Sequence, residues 1–378
     1  MARLITSLVV LFAALGCGGS SLADDNNAPP SQLASLLGSD ADAGFTRALT
    51  PRTFVFPADH GPHPDFRNEW WYITGNLDDA DDRRFGFELT IFRFALTPTV
   101  PASPSAWRTN QVYIAHLAVT DADGERFLVA QRYSRGAVGL AGAVAEPLRV
   151  WVDDWEIAQS SGEAWRLRAD DQAFGVDLEL TPMRPPILNG AAGLSQKSSD
   201  PGNASYYYSI TRMNTDGSIR IGDRDYRVSG LSWLDREWST SALALDQVGW
   251  DWFALQLSDG SDLMFYQLRK TDGTADASSS GTWVSRDGVA SQLSADDVEL
   301  RVTDTWASPE GGEYPSRWTL RVPRFDLDVT VTPVIADQEL FTTVRYWEGA
   351  VNVTGASGAA PISGRGYVEL TGYGMGSE

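Results

Sequence analysis

The chain has 378 residues, 43% hydrophobic and 21% charged, a composition that supports cores for two domains and argues against general disorder. Fifty acidic against 30 basic residues leave a formal charge of −20. Nucleic acid would be repelled by that charge, and a polybasic dock on anionic lipid is equally disfavoured.

Residues 1–23 predict an export signal, with Arg3 as the basic start, an apolar stretch over 4–15 and small residues after it. The stretch is too short to span a bilayer. Two processing routes stay open. Ser21, Leu22 and Ala23 form a small-x-small site that would free a chain beginning at Asp24. Alternatively, Ala14-Leu15-Gly16-Cys17 resembles a bacterial lipobox, with Ala14 in place of the usual leucine and Cys17 as the lipidated residue. Cys17 is the sole cysteine, so no internal disulfide and no thiolate metal site are expected. These features place the protein on the periplasmic face of the cell envelope, lipid-anchored or otherwise soluble. Residues 24–50 read as a flexible polar tether, with a short helix at 31–37.

From residue 51 onward the chain reads as strands. Runs rich in Val, Ile, Tyr, Phe and Trp are separated by Asp-Gly turn signals at 123, 216, 259, 272 and 287. The strands expected are 69–77, 85–95, 111–121, 126–134, 148–157, 164–169, 173–181 and 204–213, then a hairpin at 218–231. A second set follows at 249–257, 262–270, 280–285, 297–304, 316–322, 325–332, 346–354 and 365–371. Sustained helical periodicity is absent. The expectation is an all-β protein of two antiparallel barrels or sandwiches. A faint repeat supports the doubling, because Glu69–Leu77 and the following strand can be laid against Gly249–Leu257 and its successor. The predicted domains are 51–230 and 231–378, with the Pro/Gly/Ser-rich loop 183–203 as the rival boundary.

Several clusters could carry chemistry. Six of fourteen tryptophans abut an acid: Trp70, Trp155, Trp238, Trp250, Trp252 and Trp347. Strand alternation puts Glu69 on one face with Trp71, Ile73 and Leu77, and Asp251 with Phe253, Leu255 and Leu257. A carboxylate beside an apolar stripe suits a ligand cavity with one polar end, and a rim ion pair is the structural alternative. Leu234-Asp235-Arg236-Glu237-Trp238 could hold a proton donor oriented by Arg236, or an ion-pair latch between the domains. His60 and His63 lie near Asp59 and Asp65 but lack a third strong ligand, so no metal site is expected. His116 reads as a core histidine. A Gly-x-Ser-x-Gly elbow and a phosphate-cradling glycine loop are both missing, so neither a serine-hydrolase triad nor a nucleotide cofactor is supported.

The stretch DHGPHPDFRNEWWYITGNL (59–77), with PGNASYYYSITR (201–212), SGLSWLDREWSTS (229–241), VGWDWFALQLSDG (248–260), ADQEL (336–340), RYWEGAVNVTG (345–355) and RGYVELTGY (365–373), resembles the AttH-like and carotenoid 1,2-hydratase-like family. The resemblance implies two lipocalin-like barrels in tandem. Members include hydratases that add water to an isoprenoid double bond. Two functions follow as expectations. One is an envelope carrier of an apolar molecule or lipid, each barrel enclosing greasy space, with an envelope transporter as its expected partner. The other is a hydratase or isomerase in which Asp235 or Glu237 protonates an alkene, Trp238, Trp252 and Tyr266 surround the cation, and Asp251 or Glu69 positions water. Trp71, Tyr72 and Trp347 complete the expected ligand contacts. The inter-barrel side is preferred for the site.

Overall fold

The computed structural model describes residues 43–241 and 243–373. The export signal, Cys17 and most of the expected tether, including 31–37, lie outside the described residues. Within them the chain is almost wholly β, arranged as two antiparallel sheets curled into near-barrels in the manner of tandem lipocalin-like barrels.

Both sheets share one plan. In the first, Asn68–Asp79 pairs with the next strand, Arg84–Ala95, on one side and with the last, Arg224–Ser239, on the other. In the second, Gln247–Leu257 sits in the same way between Asp262–Lys270 and Ala360–Leu370. These central strands carry the two copies of the sequence repeat. The chain passes between sheets after Ser239 and before Gln247, so the expected 230/231 boundary falls inside a strand. The loop 183–203 belongs to the first sheet, to which it adds the short strands Ile187–Leu188 and Leu194–Gln196.

Two turn expectations fail for physical reasons. Asp216-Gly217 is no turn but the middle of Ala204–Ile221. Gly217 is there because a Cβ would lie 2.2 Å from the Asp177 carbonyl oxygen on the neighbouring strand, so the glycine marks close backbone approach. The expected strand 148–157 breaks into Leu148–Val152 and Trp155–Gln159 at Asp153, which has φ 55°.

Alternation gives each central strand two buried faces. Trp71, Ile73 and Leu77 pack with Trp155 and Trp238 inside the first near-barrel, and Phe253, Leu255, Trp318 and Trp347 pack inside the second. Large side chains occupy both interiors, so greasy space within each barrel, as expected from the sequence, is replaced by packed core. The opposite faces of the two sheets meet each other, and Tyr72, Tyr207, Trp233, Trp252 and Tyr266 form a third cluster between them. Polar clamps hold the sheets together. Asp262 of the second sheet takes Arg184 and Arg212 of the first at 2.6 and 2.7 Å, and Asn76 donates to the Gly366 carbonyl at 3.0 Å.

Candidate functional site between the two sheets

The site follows from strand register. On the first sheet, Phe92, Trp70, Glu237 and Tyr207 stand side by side across four strands. Thr90, Tyr72, Asp235 and Ser209 form the next row. Facing them on the second sheet is the row Tyr266, Trp252, Glu369 and Glu348. Directly paired side chains lie roughly 5 Å apart, so carboxyls crowd both walls of one cleft. The cleft is narrow, with a cavity volume of about 80 Å³. Trp70 and Trp250 are partly exposed, whereas Tyr72 and Glu348 are buried.

The sequence candidates divide by parity. Asp235, Glu237, Tyr72, Trp252 and Tyr266 line the cleft together. Trp71, Trp238 and Glu69 face into the first near-barrel, and Trp347 and Asp251 into the second, because each is one residue out of phase with a cleft-lining neighbour. Alternation also corrects the role given to Arg236. Its guanidinium points away from Asp235 and Glu237 and grips Glu69 together with Arg93. Glu69 accepts from the His63 backbone N–H as well, at 3.1 Å. Burial alone would raise its pKa, but the two guanidiniums overcome this and hold it well below the usual carboxylate range. Glu69 is therefore an anchor for the 60s loop, not a water-positioning group. Asp251 is likewise held by Arg269 at 2.9 Å and by the Tyr373 hydroxyl at 3.0 Å. The histidines have structural partners too. His63 stacks on Trp238 with 3.7 Å between ring centroids and approaches Asp59 at 3.1 Å, while His60 Nδ1 meets the Tyr208 hydroxyl at 2.6 Å.

Within the cleft the acids differ. Asp235 accepts hydrogen bonds from the Tyr207 and Ser209 hydroxyls and from the Trp233 indole, the last at 2.7 Å. Burial nevertheless lifts its pKa to about 6. Glu237 lies 3.1 Å from the Lys197 ammonium, which also sits 4.1 Å from the centroid of the Tyr266 ring. Burial works against the charged lysine, but the Glu237 carboxylate raises its pKa. Glu369 is partly exposed and lines the cleft. Desolvation lifts its pKa to about 8, helped by the charges of Asp235 and Glu237. Glu348, and Glu88 behind it, are pushed well above the carboxylate range by burial, and Glu348 further by Glu88 and Glu369. At neutral pH the second wall presents carboxylic acids, while the first keeps Glu237 paired with a cation.

Sequence reading missed Glu369, Glu348, Lys197 and Tyr207, and named Trp70 only for its acidic neighbour. A signal existed for the first two. Glu348 alternates with Trp347 and Glu369 with Val368, so each places an acid opposite a core residue in a strand buried on both faces. Lys197 gave none, because it arrives from an irregular loop.

A family model described as AttH-like matches residues 47–373. Among solved structures, a protein assigned as AttH from Nitrosomonas europaea is 33% identical with a TM-score of 0.78, over 87% of this chain and all of that one. Kievitone hydratase from Nectria haematococca shares the fold at 17% identity and a TM-score of 0.65, over 87% of this chain and 96% of its own. No protein of curated function matches in sequence.

Proposed function

The chain belongs to the AttH-like family, and on that premise we propose that its inter-sheet cleft binds an apolar, unsaturated molecule and moves protons at its double bond, adding or removing water or shifting the bond. One observation carries this reading. Buried carboxyls on one wall, pushed toward their protonated form by desolvation, face a lysine-paired carboxylate on the other, inside an aromatic slot. Environments that push titratable groups apart in this way sort them into acid and base. Glu369 is the proton donor, being both protonated at neutral pH and reachable from the cleft. Glu237 is the acceptor, and Trp70, Trp250 and Trp252 clasp the flat ligand. The fold of kievitone hydratase agrees with this reading, although its low identity transfers no residue role.

A carrier is the second reading. The largely aromatic lining favours it, since burial of apolar surface at ~25 cal/mol per Å² needs no chemistry. A carrier, however, gains nothing from desolvated carboxyls, which weaken retention of an apolar cargo. In either case an export signal over residues 1–23, with lipidation at Cys17, would deliver the cleft to the envelope. There it could meet membrane-derived ligands or a transporter. Among the described residues no helix is long and apolar enough to cross a membrane.

The test uses purified protein incubated with an isoprenoid extract in ¹⁸O-labelled water and, in parallel, in D₂O, followed by mass spectrometry of bound and released molecules. Label incorporation or deuterium exchange at carbon should occur with wild type. It should fall ~10²-fold or more in Glu369→Gln, with the unreacted ligand still bound. Ligand bound but unaltered by wild type would leave the carrier reading in place.

A further inference from the structure

Beside Glu369, the deep end of the cleft holds hydrogen-bonding groups that the proton transfer above does not use. The Tyr72 hydroxyl and both Glu348 carboxyl oxygens are buried, yet none makes a hydrogen bond of good geometry. The two side chains come from different sheets and line the same cleft, where the Tyr72 and Tyr346 hydroxyls are the polar neighbours of Glu348 and favour its charged form without reaching good hydrogen-bond geometry. Tyr72 is braced edge-on against Trp252 at 5.1 Å between centroids. Tyr346 stands next to them and is oriented from behind. The Gln131 side-chain amide donates to His116 Nε2 at 2.9 Å, so Nδ1 carries the proton and donates to the Tyr346 oxygen at 2.7 Å. That leaves the Tyr346 hydroxyl hydrogen to point toward Glu348.

Buried polar groups without partners are costly, about 1–3 kcal/mol each. Several in one ligand cleft point to a ligand atom that satisfies them together. The Tyr72 and Tyr346 phenols and a protonated Glu348 bring three O–H donors around one carboxyl carbonyl oxygen, and this surplus of donors is met by an acceptor. Donors fixed in an apolar site stabilise negative charge growing on an oxygen.

We propose that Tyr72 and Glu348 form a donor pair for a carbonyl oxygen, and that the substrate is an apolar molecule whose double bond is conjugated to that carbonyl. This rests on the proton-transfer reading and specifies its substrate class. In the hydration direction, the water oxygen bonds to the β-carbon while its proton passes to the Glu237 carboxylate. The π electrons move onto the carbonyl oxygen, where Tyr72 and Glu348 hold the enolate. The enolate then collapses as the α-carbon takes the Glu369 proton. One water is added and nothing is oxidised or reduced.

Two probes of nearly equal shape separate the possibilities: 2-acetylnaphthalene and 2-ethylnaphthalene. Binding is followed by quenching of cleft tryptophan fluorescence, and the ketone also by its infrared carbonyl stretch. Without donors, desolvation of the carbonyl makes the ketone the weaker ligand. With them, the ketone should bind about tenfold more tightly than the hydrocarbon, with its stretch moved to lower frequency than in hexane. In Tyr72→Phe the preference should shrink at least fivefold and the stretch should move back. Glu348→Gln, which keeps an N–H donor, should fall between that variant and wild type. Equal or weaker binding of the ketone by wild type, or a preference untouched by Tyr72→Phe, overturns the donor pair while leaving the slot intact. Failure of both probes to bind removes the slot itself, and with it the parent reading.

Discussion

At the scale of single residues, the signature block 59–77 does structural work that its composition disguised as chemistry. Acid, histidine and paired tryptophans suggested a reactive site, but Glu69 is an ionised anchor. It ties the 60s loop to the inside of the first near-barrel through Arg93 and Arg236, and Arg236 lies 3.9 Å from the centroid of the Trp71 ring. Removing one charge from such a buried group strands its partners and costs about 3–5 kcal/mol. Glu69→Gln should therefore lower the urea unfolding midpoint by a corresponding amount. Because Glu69 faces away from the cleft, ketone binding below that new midpoint should stay within about twofold of wild type. A stability loss under about 1 kcal/mol, or lost binding by folded protein, would contradict this division of labour between the two strand faces.

At the scale of elements, the strands were legible because period-two alternation and turn chemistry are local. The central strands Asn68–Asp79 and Gln247–Leu257 lie within two residues of their expected ends, and their inward faces, Trp71-Ile73 and Phe253-Leu255, are those the alternation gave. The outward face was legible only in part: Tyr72, Asp235, Glu237, Trp252 and Tyr266 were named for it, but not as one face distinct from Trp71, Trp238 and Glu69. It is just as buried, so no polar stripe marked it, and its partner rows come from strands far away in sequence. Arg236 was misread for the same reason, since adjacency in Asp-Arg-Glu suggested contact where alternation forbids it. Glycines at the sheet–sheet contact were equally silent. Gly86 reads as an ordinary strand position, but a Cβ there would stand 2.6 Å from Ala350 Cβ on the other sheet. Gly86→Val should overpack this contact and cost about 1–3 kcal/mol. Ala350→Gly in the same chain should recover part of the loss in a double-mutant cycle. Additive losses would show that the sheets do not meet at this point.

At the scale of the whole molecule, stacking two sheets back to back buries acids that neither sheet alone would bury, and this couples stability to pH. Folded Glu369 titrates at about 8 against a reference of 4.5. Between those values the folded state holds a proton that the unfolded chain has released, so stability falls as pH rises. Glu88 and Glu348, raised well above their reference, act in the same direction. Asp235 and Asp262, both raised to about 6, add to the fall only below that pH. Two histidines oppose it. His60 and His116, lowered by burial to about 4 and about 3, are neutral when folded and charge on unfolding below about 6.5, so through them stability rises with pH. The opposing effects overlap below pH 6.5 and separate above it, where only the cleft glutamates among these groups still titrate. The urea midpoint should therefore drop steadily from pH 6.5 to 8, by about 1.4 kcal/mol per pH unit for each excess proton. Glu369→Gln should remove about one proton's share of that slope, whereas Glu237→Gln, which removes one of the smaller contributions raising Glu369, should flatten it less. A wild-type midpoint constant over this range would mean that the acids are ionised in the folded cleft, and Glu369 could not then serve as proton donor at neutral pH.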